Sequence, residues 1–289
     1  MTNPDVIKMS IRFWFCLLLL FGPCLVTYAQ TAAGDEAQQH FDRGESLEAG
    51  GDPGAEQEYR AAIKCRKDFY PEAWKKLAQF YRSQLRFHEA AAALQQYVAQ
   101  TPQDNHSNDY ENLAELKRML VLEKRVNGSA VPSLNNLLEF IRFVTAYSKH
   151  ERAIPYAEKA LELYPGSGKA HLVLSRLLPT EQKERQFVLI IKAVELDPDD
   201  PEAHAALGSY YFWRGQGQTS EAIREFRKAL EVSDGQYAYA WEGLGRALAF
   251  SGEKKEAIEA FRTYLRVRKT PSQYDNAIRR EIERLGKRY

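Results

Sequence analysis

Residues 237–268 read YAYAWEGLGRALAFSGEKKEAIEAFRTYLRVR, and the spacing within this stretch decides the fold. Trp241, Leu244 and Leu248 lie three and four residues apart, so they share one face of a helix. A second series with the same periodicity begins at Ala257 and predicts a second helix. The stretch therefore predicts two helices joined by a short turn, that is, one helical hairpin.

The same series of residue types recurs along the chain. In 71–102, 134–165 and 237–268, the first large apolar residue precedes an alanine of the second helix by 16 positions. Three weaker copies follow the same order: 44–62, 171–198 and 204–229. Self-similarity at a fixed period indicates stacked units in which each hairpin covers the apolar face of its neighbour.

This order of residues resembles the tetratricopeptide repeat family, whose hairpins of about 34 residues carry Trp, Leu-Gly, Tyr, Ala, Phe, Ala and Pro in that sequence. The resemblance covers roughly 36–269. It implies an all-α fold, an α-solenoid of stacked antiparallel helical hairpins that form a superhelix, and a role in binding other proteins. The sequence departs from the family pattern at Ile141, at Gln186, in an insertion at 217–219, and at 105–133, which fit no repeat.

The segment 105–133 predicts one helix that ends near Arg125, followed by a loop rich in helix-breaking residues. A single helix there leaves an odd number of helices, so we expect two blocks of hairpins joined by an extra helix. The expected organisation is a two-repeat block, a bridging helix and loop, a four-repeat block and a C-terminal capping helix: 36–104, 105–133, 134–269 and 270–289.

The first 29 residues have the layout of a secretory signal peptide. Lys8 and Arg12 precede an uncharged apolar run of about 14 residues, and the stretch Thr27-Tyr28-Ala29 that follows it ends in a small residue. The run is short for a membrane-spanning helix, which needs about 20 residues. We expect cleavage after Ala29; an uncleaved signal anchor and a lipid-modified Cys24 are the alternatives. An exported protein is therefore predicted, periplasmic or envelope-associated if the host is a bacterium.

Composition supports a folded protein with no general attraction to nucleic acid. The chain is 44% hydrophobic and 27% charged, with a formal net charge of +1. Without 1–29, acidic and basic side chains are equal in number, so no nucleic-acid partner is predicted. Cys65 is then the one remaining cysteine; it cannot form an internal disulfide, and its simplest role is that of a small apolar packing residue.

Signatures of catalysis are missing from the sequence. The six histidines form no His-Glu-x-x-His pair and have no cysteine ligand nearby in sequence, so no metal site is predicted. His171 and His204 occupy the aromatic position of successive repeats, where packing explains them. Phosphate-binding loops and nucleophile elbows are also missing. We therefore expect neither an enzyme nor a bound cofactor.

In stacked hairpins the first helices line the concave surface, and their positions outside the core are available to a ligand. Basic and aromatic residues dominate these positions. The predicted partner-binding residues are Lys75, Gln79, Arg82, Arg142, Lys169, Arg176, Phe212, Trp213, Tyr239, Arg246 and Phe250. They predict a groove for an extended or helical peptide with acidic groups. Scattered surface charge, with rings filling gaps between hairpins, is the alternative.

Residues 254–289 contain eleven Lys or Arg and five Asp or Glu. Such an excess allows peripheral contact with anionic lipid, although a solvated capping helix explains it more simply. The function predicted overall is that of an exported scaffold or adaptor for protein–protein interaction in the assembly of an envelope or periplasmic complex. A non-catalytic regulatory or targeting subunit of an enzyme complex is the alternative.

Overall fold

The computed structural model describes residues 34–101, 107–128, 131–213, 218–268 and 274–287. Over these ranges the regular secondary structure is helical throughout, which confirms the predicted all-α fold. The predicted signal segment 1–29 and part of the insertion at 217–219 lie outside the described residues. No described helix has both the length and the apolarity that crossing a bilayer requires.

The described residues form fourteen α-helices, with short 3₁₀ turns at His150–Ala153 and Thr180–Gln182. In chain order they are α1 (34–49), α2 (Ala55–Cys65), α3 (Pro71–Ser83), α4 (Phe87–Gln100), α5 (Ser107–Gly128), α6 (Leu134–Tyr147), α7 (Ile154–Leu163), α8 (Gly168–Leu177), α9 (Lys183–Leu196), α10 (Pro201–Trp213), α11 (Thr219–Val232), α12 (Ala238–Ser251), α13 (Lys254–Val267) and α14 (Asp275–Gly286).

Consecutive helices pack in pairs, as the sequence predicts. The pairs α3/α4, α6/α7, α8/α9, α10/α11 and α12/α13 are each in contact. Some neighbouring hairpins also touch, through α2/α3, α7/α8, α9/α10 and α11/α12. The predicted architecture of stacked helical hairpins is therefore confirmed.

The chain divides into two compact units, Met1–Lys124 and Arg125–Tyr289. The division falls within α5, a single helix that extends three residues beyond the end expected near Arg125. The expected division into blocks at 36–104 and 134–269 stays a prediction.

In the unit Arg125–Tyr289, small residues bring paired helices close together. The ring of Phe226 in α11 lies against Gly208 in α10, where an added Cβ would come within 3.1 Å of it. Alanines at the crossings, among them Ala153, Ala222 and Ala257, are fully buried. Because a methyl group or a hydrogen is all that fits there, the repeat template demands small residues at these positions.

Helix α14 covers the end of this unit. Ile278 and Leu285 are buried and Ile282 packs beside them, all in one core cluster with α12 and α13. Arg268 and Asp275 form an ion pair at the start of the helix. The helix begins at Asp275, whereas the sequence placed its start at 270; residues 269–273 lie outside the described ranges.

Candidate functional site

A cleft of about 930 Å³ opens in the unit Arg125–Tyr289. Its walls come from α8, α9 and α10 and from the residues at the start of α12. First helices of three successive hairpins therefore contribute to one surface. The polar and aromatic side chains that line the cleft include Arg176, Gln186, Tyr210, Trp213, Tyr237 and Tyr239.

The end of α10 supplies an exposed aromatic surface to this cleft. Tyr211 packs against the core, and Trp213, two positions later, must point away from it because a helix turns by about 100° per residue. Trp213 is 78% exposed. Phe212 contacts Trp213 edge-on at 5.4 Å and Phe250 of α12 at 6.0 Å. Exposed contiguous rings of this kind indicate an interaction surface.

Tyrosine hydroxyls and an arginine provide the polar part of the cleft. Burial raises the pKa of Tyr237 to about 12, with the Glu202 carboxylate adding to the shift and Arg176 opposing it. The Tyr237 hydroxyl therefore stays neutral at physiological pH and can both donate and accept. Half-exposed Tyr239 places its hydroxyl 3.3 Å from Ser209 Oγ. The Arg176 guanidinium lies 3.2 Å from Glu202.

Gln186 shapes the wall between α8 and α9. Its Nε2 donates to the carbonyl oxygens of Leu178 at 2.7 Å and Pro179 at 3.2 Å, which follow the end of α8. Leu178 is the C-cap residue of α8, and the short side chain of the usual alanine could not donate to its carbonyl; the Pro179 carbonyl also accepts from the Gln182 backbone N–H at 3.0 Å. The longer side chain of Gln186 therefore both caps α8 and borders the cleft. The sequence alone identifies Gln186 only as a departure from the repeat pattern.

The sequence interpretation missed two tyrosines of the cleft. Tyr210 stacks on Phe187 of α9 with ring centroids 4.6 Å apart. Tyr237 precedes the first residue of α12 and lies outside the template positions that predict binding residues. The four consecutive aromatic residues from Tyr210 to Trp213 are a sequence signal that could have indicated Tyr210. Nothing in the spacing of the repeats indicates Tyr237.

Three predicted partner-binding residues line the cleft, namely Arg176, Trp213 and Tyr239, and Phe212 and Phe250 continue its aromatic edge. Three others in the same unit are exposed but do not line it: Arg142, Lys169 and Arg246. The Arg142 guanidinium lies 5.8 Å from the centre of the Phe143 ring. Arg246 lies 2.8 Å from Glu242, one helical turn away.

The remaining predicted residues, Lys75, Gln79 and Arg82, belong to the unit Met1–Lys124. They line a small cavity of about 30 Å³ beside α5, where Lys75 Nζ lies 3.2 Å from the Asp109 carboxylate. Burial lowers the pKa of Lys75, but hydrogen bonds to Asp109 and Tyr97 outweigh it and raise the pKa. One concave groove shared by all eleven predicted residues stays a prediction.

His171 and His204 are both buried. His204 Nδ1 lies 2.8 Å from Glu225 Oε2, and its Nε2 lies 2.9 Å from the Pro198 carbonyl oxygen. With acceptors at both nitrogens, the doubly protonated ring is favoured, and the hydrogen bond to Glu225 is the main cause of the raised pKa of His204. The same hydrogen bond is the main cause of the lowered pKa of Glu225. This pair joins α10 to α11 inside a hairpin.

A comparison with protein families matches residues 214–274 to the family described as tetratricopeptide repeat. This part of the chain therefore contains tetratricopeptide repeats, as its sequence predicts. Among curated proteins, no sequence match is found.

Solved structures with similar folds include two repeat proteins. The crystal structure of MamA is 17% identical, covers 68% of this chain and 91% of its own, and has a TM-score of 0.40. YrrB, described as a TPR protein with an unusual peptide-binding site, is 18% identical, covers 78% of this chain and 97% of its own, and has a TM-score of 0.41. At these identities and scores the likeness supports no inference about function.

Proposed function

We propose that this chain is an exported, non-catalytic scaffold that binds a segment of another protein in the cleft between α8, α9, α10 and α12. The repeat fold suggests a scaffold for protein–protein interaction in general. The single observation that carries the more specific proposal is the pair of exposed rings, Trp213 and Tyr239, at the border of a cleft that also contains Arg176.

The chemistry of the cleft favours a peptide that combines apolar side chains with carboxylates. Trp and Tyr rings offer large contact areas at low conformational cost, and such residues dominate the affinity of many interfaces. An exposed ion pair such as Arg176–Glu202 contributes about 0–1 kcal/mol, so a carboxylate of the partner can replace Glu202 at little cost. Tyrosine hydroxyls can then hydrogen-bond to the peptide backbone.

A displayed peptide library, selected on the full-length chain, tests this proposal. We expect enrichment of peptides with aromatic or aliphatic residues near Asp or Glu. Replacing Trp213 and Tyr239 together by Ala should weaken the selected peptides by about 30-fold or more, since hot-spot truncation costs about 2 kcal/mol. Phe69→Ala is the matched control, because this exposed ring lies in the other unit.

Charge reversal separates the electrostatic part of the proposal from the aromatic part. Arg176→Glu should reduce binding of acidic peptides and leave their uncharged analogues unaffected. Arg262→Glu is the matched control, since it removes an exposed cation that pairs with Glu259 outside the cleft. Selected peptides that bind the Trp213→Ala/Tyr239→Ala double variant as tightly as the wild type would show that the cleft is not the binding site.

Export rests on the order of charges and apolar residues in 1–29. Mass spectrometry of the protein from fractionated host cells should give a mature chain that begins at Gln30 in the envelope fraction. A chain that begins at Met1 in the membrane fraction would instead support the signal anchor. Recovery of the intact chain from the cytosol alone would refute export.

Contact with lipid through the basic segment 254–289 is the remaining part of the proposal. Vesicles rich in anionic lipid should bind the chain at low salt and release it as salt is raised, because screening weakens such attraction. Equal binding to neutral vesicles, or binding that salt does not affect, would refute an electrostatic contact.

A further inference from the structure

Three side chains of different chemistry meet at one end of the first hairpin. Glu36 and His40 lie four residues apart on α1 and so share a face, and Cys65 is the last residue of α2. A carboxylate oxygen, a ring nitrogen and the Cys65 sulfur all lie within 4.8 Å of one another. The sequence interpretation found no cysteine near a histidine, because these residues are distant along the chain and meet only once the hairpin forms.

The histidine of this group is oriented by a residue outside the group. His40 Nδ1 lies 2.6 Å from Glu58 Oε2, on α2. When Nδ1 carries the proton and donates it to this carboxylate, Nε2 keeps its lone pair and can act as a ligand. Histidines that bind metals in proteins commonly donate their other ring N–H to a carboxylate in this way, which fixes the tautomer and strengthens the ligand.

We propose that Glu36, His40 and Cys65 bind a zinc ion, with water in the fourth position. Zinc accepts carboxylate oxygen, imidazole nitrogen and thiolate sulfur, whereas magnesium and calcium require oxygen ligands. The Cys65 thiol releases its proton to solvent as the sulfur–zinc bond forms, and the thiolate and the Glu36 carboxylate together balance the two charges of the ion.

The separation of the ligands suits this ion after a modest adjustment. Tetrahedral zinc with bonds of about 2.0–2.3 Å places its ligand atoms roughly 3.3–3.7 Å apart. Closing the group from separations of at most 4.8 Å therefore requires movements of about 1.5 Å or less, to which the exposed Glu36 side chain can contribute by rotation about its own bonds. The bound ion links the start of α1 to the end of α2 and stabilises the first hairpin at its open end.

Cobalt provides a direct test, because a thiolate bound to Co²⁺ gives a charge-transfer absorption in the near ultraviolet. The full-length chain carrying Cys16→Ser and Cys24→Ser has Cys65 as its one thiol. We expect saturable binding of one Co²⁺ per chain with this absorption, displacement of Co²⁺ by Zn²⁺, and a rise in Tm on adding Zn²⁺.

Substitutions then identify the ligands. Cys65→Ser should abolish the charge-transfer absorption, and His40→Gln should abolish saturable binding. Glu58→Gln should weaken zinc binding by about 10- to 100-fold while leaving the sulfur absorption in place at saturating cobalt. His150→Gln, an exposed histidine in the other unit, should bind cobalt like its parent. Circular dichroism of each variant checks that its helix content is unchanged.

Two results would overturn the proposal. One is a cobalt complex without sulfur charge transfer, or one that Cys65→Ser leaves unchanged, since the metal would then be bound elsewhere. The other is a folded chain that binds neither cobalt nor zinc in a saturable way, which would leave Cys65 as a packing residue. Neither result bears on peptide binding in the cleft, because the two sites lie in different units.

Discussion

The contact between Phe226 and Gly243 predicts that Gly243→Ala lowers the free energy of unfolding when the Phe226 ring is present and raises it when the ring is removed. A Cβ added to Gly243 in α12 would lie 2.3 Å from Cε1 and 2.4 Å from Cζ of the Phe226 ring. The ring cannot easily move away, because it is 1% exposed and also lies against Gly208. Gly243→Ala should therefore overpack the contact between α11 and α12.

The magnitude follows from two opposing contributions. Overpacking a filled core costs about 1–3 kcal/mol, and an overlap of more than 1 Å with two ring atoms belongs to the upper part of that range. Alanine gains about 1 kcal/mol over glycine inside a helix. We therefore expect Gly243→Ala alone to lower the free energy of unfolding by about 1–2 kcal/mol. Phe226→Ala alone should lower it by about 3–5 kcal/mol.

In the Phe226→Ala background the overlap no longer exists, and Gly243→Ala should raise the free energy of unfolding by about 1 kcal/mol. The coupling between the two sites is then about 2–3 kcal/mol, well above the usual error of additivity. Urea unfolding followed by circular dichroism measures the four free energies. Hydrogen exchange of the α10–α12 amides checks the local stability, because repeat arrays need not unfold in one step.

Gly245→Ala is the internal control for this cycle. Its added Cβ would lie 2.7 Å from the ring of Phe261 and not against Phe226. Its cost should therefore be the same in the presence and absence of the Phe226 ring. If Gly243→Ala destabilises both backgrounds equally, the close approach of α12 to Phe226 is not what restricts this position to glycine, and the packing argument is wrong.

Two further predictions concern stability. His204→Gln breaks the buried pair with Glu225 and should cost about 2–4 kcal/mol near pH 6. The raised pKa of His204 makes its contribution complete below the unfolded value of about 6.5, and that contribution is lost as the pH rises through the folded pKa. The lowered pKa of Glu225 makes its contribution complete above the unfolded value, and that contribution is lost only as the pH falls through the folded pKa. The difference between wild type and His204→Gln in urea should therefore be smaller at pH 9 than at pH 6, and a constant difference would contradict the assignment. Gly252→Ala should cost about 1–2 kcal/mol, because Gly252 ends α12 at φ +91° with open space around it. Gly286→Ala, which also has open space, should cost nothing in the same thermal unfolding measurement, and an equal loss at both sites would exclude backbone conformation as the cause.

The hairpins could be predicted from the sequence because their signal is local. The periodicity of Trp241, Leu244 and Leu248 defines a helix face without knowledge of any distant residue. The 16-residue spacing to Ala257 adds the second helix and its close crossing. Both observations depend only on spacings between residues that are near one another in sequence, and similar spacings recur along the chain.

The residues of the candidate site were harder to predict from the sequence, because the ion pairs that basic residues form within the chain depend on the fold. The pairing of Arg246 with Glu242 follows from their spacing of four on one helix. The pairing of Arg176 with Glu202 joins α8 to α10, and no sequence spacing indicates it. Basic residues selected by template position alone therefore include several whose charge is already partly satisfied within the chain.

The positions that define the repeat are unsuited to recognising a partner, because the core occupies them. Ala222, Ala257 and Phe261 are at most 1% exposed and so cannot touch a ligand. Recognition must use side chains that the template leaves unspecified, such as Trp213 beside the core residue Tyr211. Recognition can also use residues that depart from the repeat pattern, such as Gln186. Its side chain reaches the border of the cleft, whereas the shorter side chain of alanine would not extend beyond the crossing of α8 and α9. Repeat proteins of the same fold can therefore bind different partners, since the residues that build the hairpins and those that contact a ligand vary independently.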